Sequence, residues 1–269
     1  MSDANDVLIH ALSDGLSRLA DPDKAAAMQA YMKSTLPYWG VKAPEQDRLF
    51  RATFAAYPLA TFEEWRDTIL MLWQEATHRE ERYAAIALSG DRHYRTYQRV
   101  EALQLFEELI VTGAWWDLVD GLASHQIGGL LRRYPEPMRQ TMLAWSCDTN
   151  LWKRRTAILC QLGFKGDTDE ALLFACIRPN LADHDFFIRK AIGWALRQYA
   201  KTDSNAVRRF VQEHHAALSP LSGREALKNM PDSLSYCFSV GSSATPSDKN
   251  DVSLASRSTR TSKRSSSGR

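Results

Sequence analysis

No run of apolar residues in this chain approaches the length of a membrane span. The opening MSDANDVLIH has neither the basic start nor the apolar stretch of a secretory signal. The expected compartment is therefore the cytoplasm, with no membrane contact. Paired cysteines are missing too. The four cysteines are Cys147, Cys160, Cys176 and Cys237, and none belongs to a CxxC pair. Free buried thiols are expected rather than a disulfide framework. The seven histidines lack metal-ligand spacing. His214 and His215 are neighbours and would point about 100° apart on a helix, which does not suit a shared zinc ion. No metal and no other cofactor is expected. Alternating, strand-like runs are nearly absent, and so is any large excess of charge: the formal net charge is +2.

What is present is ordinary soluble composition in unusual order. The 269 residues, 44% hydrophobic and 25% charged, suffice for one large or two small domains with a real core. The charge is unevenly spread: the balance is −7 over residues 1–120, +4 over 121–200, +1 over 201–240 and +4 over 241–269. A basic rear half is a weak electrostatic footprint for nucleic acid. Helical periodicity dominates. In residues 61–77, Phe62, Trp65, Ile69, Leu72 and Trp73 form one apolar stripe, with Thr61 as N-cap and Glu64 as its capping-box partner. Residues 100–110 and 206–218 repeat the pattern. Prolines 22, 37, 44, 58, 135, 137, 179 and 220 fall where helices should begin or end.

The chain also repeats itself. RYAAIAL starts at Arg82, RTAIL at Arg155 and RKAIGWAL at Arg189; the first two starts lie 73 residues apart and the last two 34. A divergent copy at WWDLVDGLA fills the gap. The implied unit is about 34–37 residues, the size of a two-helix repeat. The expected fold is all-α, a HEAT-like helical-repeat solenoid over residues 1–239 with a basic concave face; a non-repetitive helical bundle is the alternative. Residues 240–269 are rich in Ser, Thr, Lys and Arg and poor in large apolar side chains, so a disordered basic tail is expected there.

Three segments could carry chemistry. In AWWDLVDGLA, Trp116 and Asp120 are i, i+4 neighbours on one helical face, while Trp115 and Asp117 point elsewhere. A carboxylate beside a tryptophan needs a partner or solvent. It is either a structural aspartate paired with an arginine such as Arg155, or part of a site. In LWKRRTAIL, Lys153, Arg154 and Arg155 cannot all face the core; a solvated helix face or a groove would accommodate them. In DFFIRKAIGWALRQY, Ala191, Ile192 and Ala195 read as core. Lys190 and Trp194 share another face, suited to phosphate and sugar contact or to packing with the lysine stem over the ring.

Together these segments resemble the AlkD-type DNA alkylation repair glycosylases, a family of HEAT-like repeat enzymes. YMKSTLPYWGVKAPEQ at residues 31–46 is similar to the family's N-terminal segment, a basic YMK followed by a GIKAP-like stretch. It departs from that pattern at Trp39, where a smaller apolar residue is common, and at Gln46, where arginine is. The resemblance covers about residues 28–230; the tail has no counterpart. It implies a monomeric enzyme wrapping double-stranded DNA in the bacterial cytoplasm, at the nucleoid. It also implies hydrolysis of the N-glycosidic bond of cationic alkylated purines such as N3-alkyladenine and N7-alkylguanine. Asp120 would be catalytic, with Trp116, Trp194 and Arg155 around it. Arg154, Lys153, Arg189, Lys190, Lys33 and Tyr31 would contact DNA. A non-catalytic helical scaffold, or a relative that binds structured DNA without hydrolysis, are the competing readings.

Overall fold

A computed structural model describes residues 3–230; the expected tail at 240–269 and Cys237 lie outside them. Every regular element among the described residues is helical. The helices are α1 (Asp3–Arg18), α2 (Pro22–Met32), α3 (Ala43–Ala56), α4 (Phe62–Gln74), α5 (Arg79–Ser89), α6 (Leu103–Gly113) and α7 (Trp116–Gly121). They continue with α8 (Gly128–Arg133), α9 (Pro135–Ser146), α10 (Leu151–Leu159), α11 (Glu170–Ile177), α12 (Phe186–Tyr199), α13 (Ser204–Glu213) and α14 (Pro220–Leu227).

Local sequence explains where these helices start. Pro22, Pro135 and Pro220 each open one, where a missing N–H costs nothing. The Thr61 hydroxyl accepts from the Glu64 N–H at 3.1 Å, and the Glu64 carboxylate reaches back to the Ala60 N–H at 2.8 Å. The reciprocal cap thus forms one residue earlier than the standard box. The stripe behind it is buried at Trp65, Ile69, Leu72 and Trp73.

The helices stack as a repeat solenoid. In one row α3 packs on α5, α5 on α7, α7 on α10, α10 on α12 and α12 on α14; in the other, α4 packs on α6 and α9 on α11. The repeated segments occupy equivalent places in the first row. Ala84 and Ala85 of α5, Leu118 and Val119 of α7, Ala157 and Ile158 of α10, and Ala191 and Ile192 of α12 are all buried at the same step of their copies. Trp116 therefore stands in the register held by Arg82, Arg155 and Arg189 in the other copies. Polar side chains tie neighbouring repeats. The Asn180 amide donates to the Ser146 carbonyl at 2.8 Å, and the Gln126 amide to the Ser89 hydroxyl at 3.0 Å.

Two apolar cores result. The larger runs from Leu8 through Trp65, Phe106 and Met142 to Cys176; the smaller joins Ile158, Ile192, Leu196 and Phe210. Helix α10 feeds both, with Ala157 in the first and Ile158 and Leu159 in the second.

One feature was invisible to periodicity. Between α7 and α8 the chain stays helical but widens into a π-helical segment, Leu122–Ile127. Such wide turns concentrate near functional sites. The Ser124 hydroxyl bonds the Asp120 carbonyl at 2.7 Å, and Gly128 leaves room for α10: a Cβ there would lie 2.5 Å from the Cys160 carbonyl oxygen.

Candidate active site

Helix α7 begins at Trp116 and carries two aspartates three residues apart. Each is gripped by an arginine from a different neighbouring helix. Arg155 of α10 reaches Asp120 with both arms of its fork, Nε to Oδ1 at 2.7 Å and Nη2 to Oδ2 at 2.8 Å. Its remaining arm donates to the Phe187 carbonyl in the first turn of α12. One buried guanidinium thus joins three successive helices of the row. On the other side, Arg79 of α5 holds Asp117, Nη2 to Oδ1 at 2.6 Å and Nε to Oδ2 at 3.1 Å. The Tyr83 hydroxyl adds a third donor to Asp117 at 2.6 Å and itself meets the Tyr38 hydroxyl at 2.8 Å.

The two carboxylates differ in what is left over. Asp117 has three protein donors and its side chain is 5% exposed. Asp120 has Arg155 alone and keeps 11% exposure, so one edge faces outward. Burial pushes the Asp120 carboxyl above the usual range, Arg155 pulls it back, and the negative charge of Asp117 adds to the rise.

The tryptophans separate in the same way. Trp115 is absorbed in packing: its ring lies 5.3 Å from Phe187 and 6.4 Å from Trp152, which are themselves 5.1 Å apart. Trp116 is half-buried against the larger core and Trp194 against the smaller. The carboxylate on α7 and its arginine on α10 therefore lie at the seam between the cores, with one tryptophan leaning on each.

The expected DNA-contacting cations divide. Lys153 is spent on Asp148 at 2.6 Å and Glu107 at 2.8 Å. Arg154 bonds Asp183 at 3.0 Å and the carbonyls of Asp148 and Thr149. Lys190 pairs with Glu225 of α14 at 3.1 Å. Three expected phosphate-binding heads thus already have partners inside the fold. Arg189 is half-buried, and its Nε–H donates back to the Asp185 carbonyl at 3.4 Å. Tyr31 and Lys33 are exposed at the end of α2, where Lys33 caps the helix with φ 51°.

Sequence reasoning missed the residues behind the site. Glu80 is fully buried, and its carboxylate accepts the N–H groups of Trp39 at 3.0 Å, Gly40 at 2.9 Å and Val41 at 3.2 Å. It pins the YWGVKAP loop to the start of α5. Gly40 sits there at φ 81°, where a Cβ would lie 2.1 Å from the Asp21 carbonyl oxygen. Arg79 and Tyr83 were missed as well. Their separations from Asp117, 38 and 34 residues, lie at or next to the repeat length and were the available signal. Among the described residues no three His, Cys, Asp or Glu side chains gather into a metal-ligating group, and no helix is long and apolar enough to cross a membrane.

The sequence model of the DNA alkylation repair enzyme family matches residues 12–230, most of the chain and all of this site. The chain belongs to that family. A solved structure described as a predicted DNA alkylation repair enzyme from Enterococcus faecalis is similar to it, with 31% identity and a TM-score of 0.72. The match covers 80% of this chain and 98% of that one. No curated protein matches. Membership in the DNA alkylation repair family assigns the chain a role in DNA repair, with DNA as its partner or substrate.

Proposed function

We propose that this DNA alkylation repair family member is a glycosylase that hydrolyses the N-glycosidic bond of cationic alkylated purines, N3-alkyladenine and N7-alkylguanine, in duplex DNA. The observation that carries the reading is the contrast on α7. Asp117 is sealed by three donors, whereas Asp120 is oriented by Arg155 and left open on one edge.

An oriented, partly open carboxylate suits this chemistry. Alkylation at N3 or N7 places a positive charge on the purine, so the base departs without protonation by an acid. As the C1′–N bond breaks, its electron pair neutralises the purine and positive charge develops on the sugar. Asp120 stabilises that charge and orients a water molecule toward C1′. The water oxygen bonds to C1′ and its proton passes to the carboxylate or to solvent. Trp116 and Trp194 would lend their π-faces to the cationic sugar. Arg155 keeps Asp120 aimed; with its fork and third arm engaged, orientation is its role. Arg189, Tyr31 and Lys33 are the expected residues that remain for the DNA backbone. The site is built within one chain, so a monomer suffices.

The test is an excision assay on duplex DNA carrying N7-methylguanine or N3-methyladenine, with chromatographic identification of what is released. Free alkylpurine and an abasic site are expected. Tight binding to the same duplex without base release would instead support a non-hydrolytic relative that recognises damaged or structured DNA.

A further inference from the structure

The Arg79–Asp117 ion pair has no task in that chemistry, yet it is built with as much care as the Arg155–Asp120 pair. Both aspartates lie on α7, and the arginines approach from opposite sides, α5 and α10. Two bidentate forks hold one short helix against rotation. The Asp117 side also continues inward through Tyr83 to Tyr38, in the loop that Glu80 pins. Burial holds the Tyr38 hydroxyl at a pKa of about 12 and drives the Tyr83 hydroxyl higher still, so both stay neutral donors. The network has charge only at its end: an anion beside Asp120, matched by a cation one helix away.

We propose that Arg79 and Asp117 are positioning residues for Asp120, clamping α7 from the side opposite Arg155 and setting the electrostatic environment in which the Asp120 carboxylate works. This rests on Asp120 being the working carboxylate. The groups around Asp120 are few. Arg155 comes from α10 and Asp117 from α7 itself; Arg79 and Tyr83 of α5 bond Asp117 from behind, and Arg82 of the same helix also feels the Asp117 charge. Glu107 of α6 is taken up by Lys153 of α10; in the π-helical segment the Ser124 hydroxyl bonds the main-chain carbonyl of Asp120, and the His125 ring is exposed. Removing one member of the Arg79–Asp117 pair therefore leaves the other charge less compensated, with Arg82 unchanged in each variant.

The two single substitutions must act in opposite directions. Arg79→Gln leaves the Asp117 anion exposed to Asp120 and should raise the midpoint of its titration by about one pH unit. Asp117→Asn leaves the Arg79 cation and should lower it by a similar amount. The neutral double variant should fall between the two. The titration is read from the carboxyl carbon signal of Asp120 by NMR, assigned with Asp120→Asn, on the full chain without DNA. Circular dichroism verifies the fold. Each variant leaving a buried charge is checked against the neutral double variant, which has none to bury. Arg79→Lys restores the charge without the fork and should return the midpoint at least half-way to wild type, the remainder being the share of the bidentate clamp. Opposite shifts with lysine rescue support the proposal. Shifts in the same direction, or none beyond about 0.3 unit, overturn it and leave the pair a packing device. The NMR readout does not depend on excision, so a protein that fails the glycosylase assay still decides this question.

Discussion

Replacing Asp120 by Asn is the sharpest test of the catalytic assignment, and its magnitude follows from the geometry. A carboxylate about 4 Å from the developing sugar cation, at an effective dielectric of about 20, stabilises it by about 4 kcal/mol. Arg155 opposes this. Its nitrogens lie 2.7 and 2.8 Å from the two carboxylate oxygens. The guanidinium charge on the far side of the carboxylate is then roughly 8 Å from the sugar and repels it by about 2 kcal/mol. The native pair gives a net attraction of about 2 kcal/mol, and the Asn variant a net repulsion of about the same size. The difference, about 4 kcal/mol, is roughly a thousandfold in rate. The amide keeps one carbonyl oxygen for the Arg155 fork but leaves that buried guanidinium without its counter-charge, so the variant should lose some stability, and circular dichroism must verify its fold beside the binding titration. The assay is single-turnover release of N7-methylguanine from duplex DNA with enzyme in excess, beside a binding titration on undamaged duplex. A variant that excises within about tenfold of wild type would refute the assignment of Asp120 as the charge-stabilising residue.

Two further predictions follow from burial. The Asp120 carboxyl is pushed up by desolvation, and only its ionised form can stabilise the sugar cation. Excision should therefore be constant above that raised value and fall as pH drops through it, with the acid limb above the ordinary aspartate value of about 3.9; a limb at or below it in a pH series corrected for enzyme-free depurination would contradict the burial argument. Glu80→Ala should cost about 3–5 kcal/mol in urea unfolding, because the N–H groups of Trp39, Gly40 and Val41 lose their acceptor together. A loss below about 1 kcal/mol would show that water or another group replaces the carboxylate.

Legibility in the sequence followed distance along the chain. The stripe from Phe62 to Trp73 and the Thr61 cap are local, and both appear as expected. The repeat was legible because the same two buried steps recur after the same arginine, at Ala84–Ala85, Ala157–Ile158 and Ala191–Ile192. The Arg155–Asp120 pair was legible as one of two alternatives, since a carboxylate beside a tryptophan needs a partner or solvent. Periodicity does not say which cation is already engaged. Lys153 finds Glu107 on an earlier helix, and Lys190 finds Glu225 thirty-five residues on. Glu80 was hidden for a related reason. A charged residue in a helix's first turn ordinarily reads as a solvated cap, and only the fold brings three backbone N–H groups onto it. The π-helical turn leaves no mark in apolar spacing at all.

The position of α10 between the two cores bears on motion. Its residues belong to both, so bending of the stack there changes the span between the ring seated on one core and the ring seated on the other. If Trp116 and Trp194 flank the sugar as proposed, their separation would follow the curvature of the stack, and substitutions far along either arm would change it while leaving the aspartate–arginine pair in place.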